Sequence, residues 1–188
     1  MAPTERPGRR RPDVSGVELV GGVEKRALVI ADPDPAWPAV FAEHEHRIRA
    51  ALGVTAVAVE HIGSTSVPGL AAKPIVDVLV TVDDITAEED HLDVLLAAGY
   101  RLRVREPGHR LVRTPARDVH VHVLETGDPA ASNHLVFRDH LRRDGADREL
   151  YERTKRELVR ADWADMNAYA DAKTPVVAHI MERARRTT

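Results

Sequence analysis

The chain has 188 residues, with 27 Lys and Arg against 30 Asp and Glu, and its 43% hydrophobic content suits one domain with a hydrophobic core. A net charge of −3 gives no global attraction to nucleic acid or anionic lipid, and 4% aromatic residues leave little material for base stacking. Cysteine is absent, which excludes disulfides, a thiol nucleophile and cysteine-bound metal, and no apolar run reaches the roughly 18 residues of a membrane span.

Residues 1–22 read as a disordered basic tail, because Arg6, Arg9, Arg10 and Arg11 stand among prolines with no apolar run behind them. The same absence argues against a secretory signal, so a cytoplasmic location is the default. Residues 23–188 read as a single domain. A short strand is expected over 27–30. Asp34-Pro35 then opens a helix whose apolar face carries Trp37, Val40, Phe41, His44, Ile48 and Leu52, and Gly53 ends it. Two buried strands are expected over 54–59 and 75–82, separated by a Gly-Ser loop. A helix follows over 86–98 with Leu92, Leu95 and Leu96 inward and Gly99 as its stop. Strands over 100–104 and 109–114 flank a turn at Pro107-Gly108, and 119–124 alternates as a further strand. Helical stretches at 135–141, 147–160 and 166–186 complete the chain, with Pro175 a break or restart. The pattern is α+β: a mixed β-sheet with flanking helices and a helical C-terminal third.

Strand period places Asp77 on a face with Ile75 and Leu79, opposite Val76, Val78 and Val80. It likewise places His120 and His122 opposite Val119, Val121 and Val123. The valines suit a core, which leaves Asp77, His120 and His122 as a candidate divalent-metal set. An ion pair of Asp77 with Lys73 or an arginine, and a solvated face for the histidines, stay open as alternatives. Gly63, Ser64, Thr65 and Ser66 form either a phosphate cradle or a tight strand-to-helix turn with a capping hydroxyl. Arg138 and Arg142, Tyr151 and Lys155, and Tyr169 and Lys173 each lie one helical turn apart. With Lys73 they suit an anion held between sheet and helices, although any single pair alone reads better as a packing face. Arg101, Arg103, Arg105, Arg110 and Arg113 read as exposed positions on a hairpin.

The run from Glu60 to Asp77, with its Gly63-Ser64-Thr65-Ser66 and Lys73-Pro74-Ile75-Val76-Asp77, resembles the signature of the GrpB-like proteins. Asp34-Pro35-Ala36-Trp37 with Phe41, His120-Val121-His122-Val123, 137–142, Tyr151 with Lys155 and Tyr169 with Lys173 extend the resemblance over about 27–181. That family is grouped with the nucleotidyltransferase-fold superfamily, and a related domain is fused to dephospho-CoA kinase in some bacteria. The resemblance implies a nucleotidyltransferase-like sheet whose Gly-Ser loop holds a nucleoside triphosphate beside metal-binding carboxylates. Gly63-Ser64 and Asp77 match this pattern. Leu79 occupies the second carboxylate position, and His120 and His122 stand where a third carboxylate is expected.

The leading expectation is therefore nucleotidyl or phosphoryl transfer, or an ATP-dependent condensation, on a nucleotide or phosphorylated small molecule. Asp77, Lys73, Arg138 and Lys155 are the expected catalytic residues. Gly63, Ser64, Thr65, Ser66, Tyr151 and Lys173 are expected to bind ATP or another nucleoside triphosphate, and Asp77, His120 and His122 to hold Mg²⁺ or Mn²⁺. The expected partner is an anionic small molecule, with neither nucleic acid nor membrane. Two alternatives stand beside it. One is a degenerate, non-catalytic module for a nucleotide or CoA-like ligand. The other is a metallohydrolase with His61, His120 and His122 as ligands and Glu60 as base.

Overall fold

The computed structural model describes residues 9–24, 28–163 and 166–186, with the side chains of 166 and 167 excepted. Six strands form one sheet in the order β1-β4-β5-β6-β3-β2. They are β1 (Glu18–Leu19), β2 (Ala58–Ile62), β3 (Val76–Val82), β4 (Arg101–Glu106), β5 (His109–Arg113) and β6 (Val119–Glu125). β3 and β6 run parallel at the centre, with Asp77 opposite His120 and Leu79 opposite His122. All other pairs are antiparallel.

The valine face of β3 and β6 builds the main core. It packs on Trp37, Ile48 and Leu52 of helix α1 (Trp37–Leu52) and on Leu92 and Leu95 of α2 (Glu88–Ala97). α1 forms where the apolar spacing is helical. Asp34 Oδ1 accepts the Ala36 N–H at 2.8 Å, one turn residue before the helix, and Gly53 closes it at φ 54°. Leu96, expected inward, is 37% exposed, because the inner stripe of α2 is carried by His91, Leu92 and Leu95 instead.

The opposite sheet face carries helices α3 (Pro129–Arg143), α4 (Gly145–Leu158), α5 (Met166–Ala172) and α6 (Thr174–Arg186). Ile62, Leu79 and Leu124 meet Ala131 of α3 there. Val67 and Leu70 of the loop after β2 meet Leu141, Tyr151 and Ile180 in a separate cluster. Pro175 lies in the first turn of α6, as a restart requires.

Three expected elements differ. The strand expected at 54–59 begins later, because 53–55 form a 3₁₀ turn and β2 runs over Ala58–Ile62. Of the strand expected at 27–30, residue 27 lies outside the described residues, and 28–30 carry no regular structure next to an isolated bridge between Ala31 and Ala72. Residues 1–8 of the expected tail also lie outside the described residues. The part of it that is described lies along the sheet: β1 pairs with β4, and Arg9 binds Glu125 at 2.9 Å. Asp13 takes the Arg110 guanidinium at 2.6 Å, Glu88 takes it from the other side at 2.6 Å, and Glu24 binds Arg113 at 2.7 Å. Arg110 is thus 1% exposed rather than a solvated hairpin position. A guanidinium at that depth needs both carboxylates, and the segment before β2 supplies one of them.

Candidate functional site

β2 is followed by Gly63, whose φ of 71° with ψ of −176° belongs to a region that only glycine enters readily. A Cβ there would stand 2.5 Å from Asp77 Oδ2, so the absence of a side chain is what lets the loop close over the carboxylate. The next residues form a 3₁₀ turn, Ser64–Ser66. Its hydroxyls have different fates. Ser66 Oγ donates to the Gly63 carbonyl at 2.6 Å, and Thr65 Oγ1 donates to the Ile75 carbonyl at 3.2 Å. Arg142 donates to the Ser66 carbonyl at 2.8 Å. Thr65 and Ser66 are therefore loop fasteners, whereas Ser64 lines a cavity.

That cavity, of about 200 Å³, is walled by Ile30, Ser64, Lys73, Ile75, Asp77, His120, Lys155, Tyr169 and Lys173. Lys155 rises from α4, donates to Ser64 Oγ at 3.0 Å and to the Ala71 carbonyl, and is 3% exposed. Burial, with the nearby Lys173 ammonium, brings Lys155 down to about 7. Burial also lowers Lys173, against the opposing pull of Asp77. Lys73 and Lys173 both lie over the Tyr169 ring, 4.1 and 4.8 Å from its centroid. Tyr169 is 1% exposed, and its hydroxyl has no hydrogen-bond partner among the described residues.

Asp77 Oδ1 sits between two imidazoles, 3.7 Å from His120 Nδ1 and 3.6 Å from His122 Nε2. Burial alone would raise its carboxyl. The hydrogen bond and charge of His122, together with His120 and His134, outweigh burial and hold Asp77 below the ordinary carboxylate value. Ligand atoms bound about 2.0–2.2 Å from one ion lie roughly 3–3.5 Å apart, so Asp77 with one of these imidazoles is close to a two-ligand arrangement. All three together do not close around one point. Among the described residues, the triad whose ligand atoms all lie within 4.8 Å of one another is His140, Asp144 and Asp147. That triad is already committed: Asp147 Oδ2 meets His140 Nε2 at 2.6 Å and Arg183 Nε at 3.0 Å, and Asp144 caps the Asp147 N–H.

Other expected site residues stand apart from this pocket. Arg138 donates to Glu60 at 2.8 Å and to the His61 carbonyl at 3.0 Å, and pairs with Asp139 at 2.7 Å, so it braces α3 against β2. Tyr151 belongs to the apolar cluster beneath the loop, and burial pushes its hydroxyl up to about 12 despite a hydrogen bond with Ser64. His61 points to the other sheet face from His120 and His122, stacking on Phe41 at 4.7 Å with Nε2 3.1 Å from Thr65 Oγ1. A three-histidine centre with Glu60 as base is thereby ruled out: β2 alternation separates His61 from the other two, and Glu60 is held by Arg138. Leu79, at the second carboxylate position, is 1% exposed in an apolar cluster.

Residues not marked as site members in the sequence complete the surroundings. Tyr169 had been paired with Lys173, but only the structure places it in the wall. His109 Nε2 lies 3.1 Å from His122 Nδ1, and its Nδ1 lies 2.7 Å from Glu106 Oε1. His134 of α3 stands with its ring centroid 5.8 Å from that of His122, and burial brings it down to about 4. His109 could have been found from alternation had the β5–β6 register been known, whereas His134 carried no signal. A larger apolar groove of about 720 Å³ between α3 and α6, lined by Phe137, Val177 and Met181, contains none of the lysines and touches the cluster only through His134.

The family profile described as GrpB protein matches residues 27–183 of this chain. The chain belongs to the GrpB family. A UPF0157 protein of Streptomyces coelicolor is 61% identical over 96% of this chain and 97% of its own length. Another UPF0157 protein, from Halalkalibacterium halodurans, is 43% identical over 86% of this chain and 84% of its own. A protein named dephospho-CoA kinase from Mycolicibacterium paratuberculosis is 31% identical over 81% of this chain, but the match spans only 45% of that relative. The crystal structure of GrpB from Enterococcus faecalis superposes with a TM-score of 0.75 at 31% identity, covering 85% of this chain and 98% of that one. The GrpB fold seen here is the nucleotidyltransferase-like mixed sheet with a helical C-terminal third. No helix among the described residues is long and apolar enough to cross a membrane.

Proposed function

We propose that this GrpB-family chain is an enzyme that binds the phosphate portion of a nucleotide or another phosphorylated small molecule and acts on it by nucleotidyl or phosphoryl transfer. The observation that carries the reading is the convergence of Lys73, Lys155 and Lys173 with Ser64, Asp77 and Tyr169 on one cavity. Ammonium groups at that density, with Lys155 buried and Lys73 and Lys173 half-buried, repel one another at a cost that an incoming anion offsets. The buried Tyr169 hydroxyl points the same way, since an unsatisfied polar group costs about 1–3 kcal/mol and a ligand oxygen would satisfy it. A volume of about 200 Å³ suits phosphates rather than a whole nucleotide, whose remainder would lie outside.

Asp77 with His122 or His120 would hold a single divalent ion, Mg²⁺ or Mn²⁺, and the ligand's own oxygens would complete the shell. Such an ion would supply charge neutralisation at the phosphate. The protein's part is done by the lysines, which spread positive charge along the anion, and by Ser64, which Lys155 holds in place. One carboxylate is too little for a two-metal centre, which favours a one-ion scheme.

Leu79 supports a second reading, a non-catalytic module that binds the same class of ligand, in keeping with relatives that carry the name dephospho-CoA kinase. Calorimetric titration with ATP, with and without Mg²⁺, tests both readings. Saturable binding that Mg²⁺ strengthens and Asp77→Asn weakens supports the enzyme. Binding indifferent to Asp77→Asn, with no product from any triphosphate, supports the module. No binding in either condition removes both.

A further inference from the structure

Three hydroxyls follow Gly63, and the first is spent differently from the other two. Thr65 Oγ1 and Ser66 Oγ donate to backbone carbonyls at 3.2 and 2.6 Å. Ser64 lines the cavity, and its Oγ lies 3.0 Å from Lys155 Nζ, within the roughly 2.6–3.2 Å over which a general base takes a proton. Tyr151, whose ring centroid lies 4.7 Å from the same Nζ, hydrogen-bonds Ser64 from the apolar cluster beneath the loop. As an amine, Lys155 keeps one N–H on the Ala71 carbonyl and offers its lone pair to the Ser64 O–H. The Tyr151 O–H then donates to Oγ, since burial keeps that phenol protonated. One lone pair of Oγ is left for a ligand.

We infer that Ser64 is the nucleophile of a phosphoryl transfer and Lys155 its general base, so that the reaction passes through a phosphoserine. The inference rests on the proposal that a phosphorylated ligand enters this cavity, and it adds the covalent step. A cavity of about 200 Å³ admits a polyphosphate by its free end, which brings the terminal phosphorus to Ser64. Lys155 Nζ takes the Ser64 proton while Oγ forms a bond to that phosphorus. The bond from phosphorus to the bridging oxygen breaks, and its electron pair leaves with the nucleoside diphosphate. Water or another hydroxyl acceptor then attacks the phosphoserine. The Ser64 O–P bond breaks, Oγ recovers its proton from the Lys155 ammonium, and the acceptor's proton passes to a phosphate oxygen. A serine hydroxyl is a weak nucleophile without such a base. Burial, then Lys173, brings Lys155 down to about 7, which supplies amine at neutral pH. Lys73 and Lys173 line the same cavity, where they take up the charge of the phosphate.

The test incubates the full chain with ATP and Mg²⁺, quenches in acid, which phosphoserine survives, and locates any phosphate by tandem mass spectrometry. Exchange of labelled ADP into ATP is measured alongside, because it reads the reverse of the first step even when the phosphoserine is short-lived. The expected result is phosphate on Ser64 together with ADP–ATP exchange, both lost in Ser64→Ala. Lys155→Arg keeps a cation that cannot act as a base, and Lys155→Met removes the charge at similar length. Each is expected to slow labelling and exchange by about 10²-fold or more. A folded variant of either kind that labels as fast as wild type overturns the role of Lys155. Wild type that binds ATP in a calorimeter yet shows neither phosphoserine nor exchange, or carries the phosphate on another residue, overturns the inference and leaves the anion site standing. Wild type that binds no ATP overturns the proposed function, and this inference falls with it.

Discussion

Replacing Lys155 with methionine keeps the length of the side chain and removes the charge buried in the pocket. Lys155 is 3% exposed, and burial first, then Lys173, lowers its ammonium from 10.5 to about 7. Between those values the unfolded chain holds a proton that the folded chain has lost. Folding is therefore penalised fully below about 7, and stability rises as pH climbs through the window from about 7 to 10.5. One proton of difference changes stability by about 1.4 kcal/mol per pH unit. The folded group is half protonated at pH 7 and neutral by pH 9, so the wild type should gain about 2 kcal/mol over that interval. Lys155→Met lacks this gain. It also leaves Ser64 Oγ and the Ala71 carbonyl without the N–H donor that Lys155 supplies as ammonium or as amine, which lowers the stability of the variant without giving it a pH dependence in this window. Urea unfolding of both proteins at pH 7, 8 and 9 reads the difference, and groups common to both cancel. Parallel pH dependence in the two proteins would refute the claim that this lysine is buried in a cost-bearing state.

The remaining predictions separate loop, tail and ligand contacts. Gly63→Ala should destabilise by about 2–4 kcal/mol, because it adds strain in a glycine-only region to a contact 2.5 Å from Asp77 Oδ2; a change under roughly 0.5 kcal/mol in a denaturant melt would contradict this. Thr65→Val should cost stability through the lost bond to Ile75 while leaving ATP affinity nearly unchanged, whereas Ser64→Ala, which takes a partner from both the Lys155 amine and the buried Tyr151 hydroxyl, should lower stability and ATP affinity together. Equal effects of the two on calorimetric affinity would refute that division. Asp13→Ala removes one of the two carboxylates around the 1%-exposed Arg110 and should cost about 3–5 kcal/mol. An unchanged melting temperature would show that 9–24 does not anchor the sheet as described.

Much of the scaffold was legible in the sequence because one face of each central strand is a row of valines. Val76, Val78 and Val80 against Val119, Val121 and Val123 fixed which way Asp77, His120 and His122 point. Glycines at positive φ marked the ends of α1 and α2. What was not legible depends on pairing across the sheet. Arg110 looks like its neighbours in a basic hairpin, and only the docking of Asp13 and Glu88 explains its burial. Arg138 and Lys155 look alike as helix cations, yet α3 places one on Glu60 while α4 directs the other to Ser64. The paired hydroxyls of Thr65 and Ser66 were likewise indistinguishable from Ser64 until the loop closed on itself. Tyr151, expected at the ligand, lies instead in the apolar cluster, and Tyr169, given no such part, reaches the cavity, for the same reason. Each is one turn from a lysine, but only Tyr169 reaches the cavity.

The central claim is that an anion and a divalent ion meet between the lysines and Asp77. Crystals soaked with Mn²⁺ and a non-hydrolysable ATP analogue test it most directly. The account predicts an anomalous manganese peak within coordination distance of Asp77 Oδ1 and one imidazole of the His120–His122 pair, with phosphate density between Lys73, Lys155 and Lys173. Nucleotide density confined to the groove between α3 and α6, with no manganese at Asp77, would contradict it.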